Sequence, residues 1–66
     1  MSNIQKLERL ANRKGFELSY DDGDKVYYLT EINSGQVVMK YAKITLELNK
    51  NMIVWEGEFN MLRKNY

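Results

Sequence analysis

Two groups of acidic residues come closest to a catalytic or metal-binding arrangement. Asp21-Asp22-Gly23-Asp24 offers carboxylate oxygens for a hard cation, and Glu56 with Glu58 offers two carboxyls for acid–base chemistry. The first group lacks the alternating ligands and closing glutamate of a calcium loop. The second has no obvious neighbour that would raise the pKa of one carboxyl. We therefore expect no catalytic, metal or cofactor site, and interpret the groups as a solvated turn and surface charge.

Histidine and cysteine are both absent from the 66 residues. These side chains supply most acid–base catalysis near neutral pH, most thiol nucleophiles and most transition-metal ligands. Their absence indicates that the protein is not an enzyme and that its activity is binding. It also excludes disulfides and structural zinc, so the fold must be stabilised by packing, within the chain or at an oligomer interface.

A basic stripe is the feature that favours nucleic acid as a partner. Its cations recur at spacings of three and four residues on one side of a predicted helix, and two further cations lie in the C-terminal tail. Against this reading, ten basic and nine acidic residues give a net charge of only +1, which creates no strong field for an anionic partner. Nucleic-acid binding is therefore the second of two function hypotheses, and it uses Lys6, Arg9, Arg13, Arg63 and Lys64.

The elements that must position these residues begin with a helix. Ser2 and Gln5 have the spacing of a capping box, and apolar residues then follow at helical spacing: Ile4, Leu7, Leu10 and Ala11. Gly15 can adopt the left-handed conformation that ends a helix. The sequence therefore predicts a helix over residues 3–14.

Beyond Gly15 the apolar residues alternate with a period of two, which is typical of strands. Strands are predicted over 16–20, 25–32, 36–48 and 52–59, separated by turns at 21–24, 33–35 and 49–51. In 36–48 the apolar residues of the core face change from odd to even positions: Val37, Met39 and Tyr41 are followed by Ile44, Leu46 and Leu48. This shift predicts a β-bulge at 41–43; a tight turn there would instead give five strands.

These elements predict the fold class α+β, as one small domain over residues 1–66. The N-terminal helix packs on a strongly coiled antiparallel β-meander of four strands, or five with the turn. One sheet face supplies the predicted core: Phe16, Leu18, Tyr20, Val26, Tyr28, Ile32, Val37, Met39, Tyr41, Ile44, Leu46, Leu48, Ile53, Trp55 and Phe59.

The opposite sheet face should be polar, and its apolar exceptions carry the first function hypothesis. An uncovered apolar patch rimmed by charge is typical of a protein–protein contact. We therefore expect a small non-catalytic protein that binds and modulates or inhibits a host protein, and unpaired strand edges also predict a homodimer. The predicted protein-binding residues are Tyr27, Leu29, Val38, Met52 and Val54.

The remaining expectations concern location and origin. No segment has the roughly 18 apolar residues of a membrane span, and the N-terminus lacks the apolar core of a signal peptide, so we expect a cytoplasmic protein with no membrane contact. Residues with AT-rich codons are frequent: Asn, Lys, Tyr and Ile. This usage indicates a low-GC genome, such as those of many phages and mobile elements.

Overall fold

The fold is α+β, with an N-terminal helix, an antiparallel sheet and two further helices. The computed structural model describes residues 2–66. The strands form one antiparallel sheet in the order β1-β2-β3. The elements in chain order are α1 (Asn3–Arg13), β1 (Phe16–Asp21), β2 (Val26–Glu31), β3 (Val37–Ala42), α2 (Lys43–Leu48) and α3 (Met52–Arg63).

The N-terminal helix agrees with its prediction because its signals are local. The Ser2 hydroxyl accepts a hydrogen bond from the Gln5 amide at 3.1 Å, and the Gln5 side chain accepts one from the Ser2 amide at 3.0 Å. This capping box satisfies two backbone donors that the first turn leaves without helical partners. Gly15 follows the helix with a φ of +87°, a left-handed conformation that glycine adopts readily because it has no side chain. The chain therefore turns from α1 into β1 at this residue.

In the second half of the chain the prediction of a strand is correct for Val37–Ala42 and wrong for residues 43–48 and 52–59, which are helical. Strand β3 ends at Ala42 and α2 begins at Lys43, so the apolar parity changes after Tyr41 because a strand gives way to a helix. The predicted last strand is part of α3, which Asn51 caps by accepting a hydrogen bond from the Ile53 amide at 3.0 Å. The sheet therefore has three strands rather than four or five. The strong coiling was predicted for a longer sheet, which the structure does not contain.

One irregularity of the kind predicted does occur, at a different residue. Leu29 pairs with Met39, whereas the next residue of β2, Thr30, pairs with Val37. Val38 is therefore the extra residue in β3, and its side chain is half-buried against the core.

The register between β1 and β2 decides which side chains of β2 point inward. Asp21 pairs with Val26 across four loop residues, so even-numbered residues of β1 share a sheet face with odd-numbered residues of β2. Leu18 accordingly pairs with Leu29. The prediction that Val26 and Tyr28 lie on the core face is therefore wrong, because a shift of one residue exchanges the two faces of a strand.

The core lies between the three helices and one face of the sheet. Six predicted core residues are buried there: Phe16, Leu18, Tyr41, Leu46, Trp55 and Phe59. Helix α1 adds Leu7, Leu10 and Ala11, and β2 adds Leu29. Several predicted core residues are instead exposed: Tyr20, Ile32, Val37, Ile44, Leu48 and Ile53.

Candidate functional site

The five predicted protein-binding residues do not share an open sheet face. Leu29 is fully buried in the core, and Tyr27, Val38 and Met52 are half-buried against it. The prediction of one open surface is wrong for Tyr27 and Leu29 because the register of β2 turns them toward the core. It is wrong for Met52 and Val54 because these residues lie on a helix and not on the sheet. Val54 is the member of the set whose side chain is largely open to solvent.

Helix α3 presents apolar side chains outward as well as inward. Trp55 and Phe59 are buried, whereas Ile53 is 81% exposed and Val54 and Met61 are each 63% exposed. Between them lies Gly57, and a Cβ built there would meet nothing within 4 Å. Val54, Gly57 and Met61 recur at helical spacing and therefore lie on one side of α3. We call Ile53, Val54, Gly57 and Met61 the outward face of α3.

The sequence interpretation missed most of this face because it assigned period two to residues 52–59. Met52, Trp55, Phe59 and Leu62 repeat at spacings of three and four, which indicates a helix with the buried side defined by those residues. That signal would have placed Ile53 and Met61 outward. Helix α2 adds two exposed apolar side chains, Leu48 at 73% and Ile44 at 59%.

A groove of about 660 Å³ runs between α1 and α3. Its apolar lining comes from Leu10, Met52 and Ile53. Three cations and one carboxylate also line it, and among residues 2–66 none of the three cations makes a salt bridge. We call this the α1–α3 groove; its charged and polar lining residues are Lys6, Arg9, Asn12, Arg13 and Glu56.

A second groove, of about 550 Å³, lies on the other side of α3. Val54, Gly57 and Met61 line it together with residues of β3 and α2. At its base the Tyr41 hydroxyl donates to the Glu58 carboxylate at 3.0 Å. Burial raises the pKa of Tyr41 far above its usual value of 10, and the bond to Glu58 raises it further. Tyr41 and Glu58 are therefore joined by a hydrogen bond within the lining of this groove.

The structure separates Arg63 from the predicted nucleic-acid set. The Arg63 guanidinium donates to the Glu31 carboxylate at 2.8 Å, and the Ser34 amide donates to the other Glu31 oxygen at 2.8 Å. The bond from Arg63, followed by the bond from the Ser34 amide, lowers the pKa of Glu31 from 4.5 to about 2. Arg63 therefore fastens the end of α3 to β2, while Lys6, Arg9 and Arg13 remain together along the α1–α3 groove.

The two acidic groups have structural roles in the turn and on the helix. Asp21 accepts hydrogen bonds from the Gly23 and Asp24 amides at 2.9 and 3.4 Å, which stabilises the turn. Glu56 and Glu58 are on a helix, where residues two apart do not face each other, so they line different grooves. Within residues 2–66, no three His, Cys, Asp or Glu side chains converge as metal ligands.

Comparisons with protein-family models, curated proteins and solved structures find no match to this chain. Of the helices within residues 2–66, none has the length and apolar character needed to cross a membrane. The functional proposals for this chain therefore rest on its own surfaces.

Proposed function

We propose that this chain is a non-catalytic protein-binding domain that modulates or inhibits a host protein by covering part of its surface. The observation that carries the proposal is the outward face of α3. Five of the nine exposed large hydrophobic side chains in residues 2–66 belong to α2 and α3. Helix α3 carries apolar side chains on an outward face as well as on its buried side, and the chain itself covers only the buried side. A partner protein would cover the other.

The energetic argument follows from three side chains. Complete burial of a Val, Ile or Met side chain contributes about 1.5–3 kcal/mol. Ile53, Val54 and Met61 are mostly exposed, so covering them would contribute roughly 3–6 kcal/mol before the costs of association are subtracted. That is a substantial part of the ~8 kcal/mol of a micromolar complex.

Gly57 supports the same proposal independently. Glycine in a helix interior costs about 1 kcal/mol relative to alanine. No close neighbour within residues 2–66 demands a glycine there, since the space around a Cβ at that position is open. A missing side chain in the centre of an apolar face allows a partner to approach the helix backbone closely.

Nucleic-acid binding remains the alternative, through the cluster of Lys6, Arg9 and Arg13. The geometry favours a protein because Arg63 is paired with Glu31 and because the cations border apolar side chains that phosphates do not contact. A labelled oligonucleotide would distinguish the two. Binding whose log affinity falls steeply with log salt would support the alternative, and absence of binding at low salt would remove it.

Site-specific photo-crosslinking in the natural host tests the proposal. A photo-reactive amino acid replaces Ile53 or Met61, and as a control it replaces Val37, an exposed apolar residue on the opposite face of the sheet. We expect discrete protein adducts from positions 53 and 61 and none from 37. An adduct of twice the chain's mass would identify the partner as a second copy, as a homodimer requires. Adducts only from position 37, or from no position, would contradict the proposal.

A further inference from the structure

We infer that the partner presents an amphipathic helix with acidic side chains along one flank, and that this helix lies in the α1–α3 groove. The inference rests on the proposed function, because Ile53 belongs to the outward face of α3 and lines this groove, and the inference names the class of segment that the groove would receive. Two observations carry it, which are the apolar lining of the groove and the row of cations along one wall.

The apolar lining fits side chains of one helix face. Leu10, Met52 and Ile53 line the groove from α1 and α3, and Ile53 is the most exposed apolar residue of α3. Pockets of about 300–1,000 Å³ hold a drug-sized ligand. A groove of about 660 Å³ therefore accommodates a few apolar side chains of one helix face, with the body of the helix above them. This is the usual way in which a groove between two helices receives an amphipathic helix.

The charges define which kind of amphipathic helix fits. Lys6, Arg9 and Arg13 lie on the α1 wall at spacings of three and four, and they span roughly 10 Å at about 1.5 Å per residue. A partner helix with acidic residues at the same spacing would place a carboxylate near each cation. Charge complementarity of this kind mainly provides specificity and a faster association rate.

The other charged residues near the groove indicate that only one flank of the partner helix should be acidic. Glu56 lines the groove from α3, so a carboxylate on that flank of the partner would be repelled. Glu8, the acidic residue of α1, does not line the groove. We therefore expect acidic residues on the flank facing α1 and basic or neutral residues on the flank facing α3.

A displayed peptide library tests this inference with the full-length chain as the immobilised target. Each member is an 18-residue helix with a fixed Leu and Ala stripe and with either Glu or Lys at every flanking position. We expect selection to enrich Glu on one flank. Selected peptides should bind the Arg9→Glu, Arg13→Glu and Ile53→Ser variants at least tenfold more weakly than wild type. Added salt should weaken peptide binding to wild type more than it weakens binding to the two charge variants.

Control variants on other surfaces test whether the selected peptides bind in the α1–α3 groove. Lys40→Glu changes an exposed cation on the sheet face away from the helices, and Val37→Ser shortens an exposed apolar side chain on that same face, so both should leave peptide affinity unchanged. All substituted residues are exposed, and an unchanged thermal melt for each variant confirms that it is folded. Enrichment of Lys on both flanks, no charge preference, an empty selection, or sensitivity to Val37→Ser but not to Ile53→Ser would overturn the inference.

The two proposals fail in different ways. If crosslinks form from position 61 but no acidic peptide binds the α1–α3 groove, the inference is wrong and the proposed function stands. If a single-stranded or duplex oligonucleotide displaces the peptides at equal concentration, the cations bind phosphate and the inference is overturned. If sedimentation shows that Ile53→Ser dissociates a dimer, a second copy occupies the groove, which also overturns it.

Discussion

Replacement of Gly15 by alanine tests the junction that joins α1, the sheet and α3. Gly15 has a φ of +87°, and a Cβ there would lie 2.8 Å from the Arg63 guanidinium. That guanidinium has little freedom to move, because it is bonded to Glu31 and lies 5.4 Å from the centre of the Phe16 ring. Gly15→Ala should therefore destabilise the fold. Gly57→Ala is the matched control, since its site is open and helical.

The expected magnitudes have opposite signs. A left-handed conformation costs a residue with a side chain about 1–2 kcal/mol, and displacement of Arg63 adds to that loss in Gly15→Ala. Gly57→Ala should gain up to about 1 kcal/mol from helix propensity. For a chain of this size 1 kcal/mol shifts Tm by about 4–8 °C. The two variants should therefore differ by about 1–3 kcal/mol, or roughly 4–24 °C in Tm, with wild type between them.

Thermal and urea unfolding, followed by circular dichroism and by the fluorescence of Trp55, measure both variants. Combining Gly15→Ala with Arg63→Ala separates the backbone strain at position 15 from the clash with Arg63. Gly15→Ala should destabilise the fold less in the Arg63→Ala background, where the guanidinium is absent. A Gly15→Ala variant that melts at or above wild type would refute the argument. Exact additivity in the double variant would leave the backbone cost but refute the clash with Arg63.

Three further predictions concern buried groups. The pKa of Glu31 is lowered from 4.5 to about 2, so its carboxylate stabilises the fold above pH 4.5, and this contribution is lost as pH falls toward 2. Measurements of Tm against pH should show this loss in wild type and not in Glu31→Gln. Leu29→Ala should cost about 2–5 kcal/mol in urea unfolding and Val37→Ala no more than about 0.5, and equal effects would contradict the register of β2. Spectrophotometric titration should show one tyrosine that ionises only far above pH 10, and Tyr41→Phe should abolish that late step.

Local signals in the sequence were sufficient for the first half of the fold. The capping box at Ser2 and Gln5, the glycine after α1 and the turn residues at 21–24 each act through neighbours within a few positions, so they appear as predicted. In this half the facing of β2 is wrong, and Tyr20 of β1 is exposed where burial was predicted. The period of a strand is two, so the length of the loop before Val26 decides which residues are inward, and an error of one residue exposes the wrong set.

The candidate site was predicted in part. The cations of α1 are correctly grouped, because helical spacing alone places Lys6, Arg9 and Arg13 on one side. The apolar half of the surface was assigned to the wrong element, and Arg63 was counted as free. Its partner Glu31 is 32 positions earlier in the chain, and no local pattern indicates that a polar end of β2 is buried beneath the end of α3.

The sequence by itself determined that the chain has no histidine or cysteine for chemistry, begins with a capped amphipathic helix and continues into an antiparallel hairpin. Tertiary structure decided whether residues 43–63 extend the sheet or cover it. The spacing of four between Trp55 and Phe59 satisfies both the strand period and the helix period, and only the wider pattern from Met52 to Leu62 favours a helix. Only the packed structure shows that α1 does not cover the apolar face of the sheet alone, since α2 and α3 contribute Leu46, Trp55 and Phe59 to the same buried core.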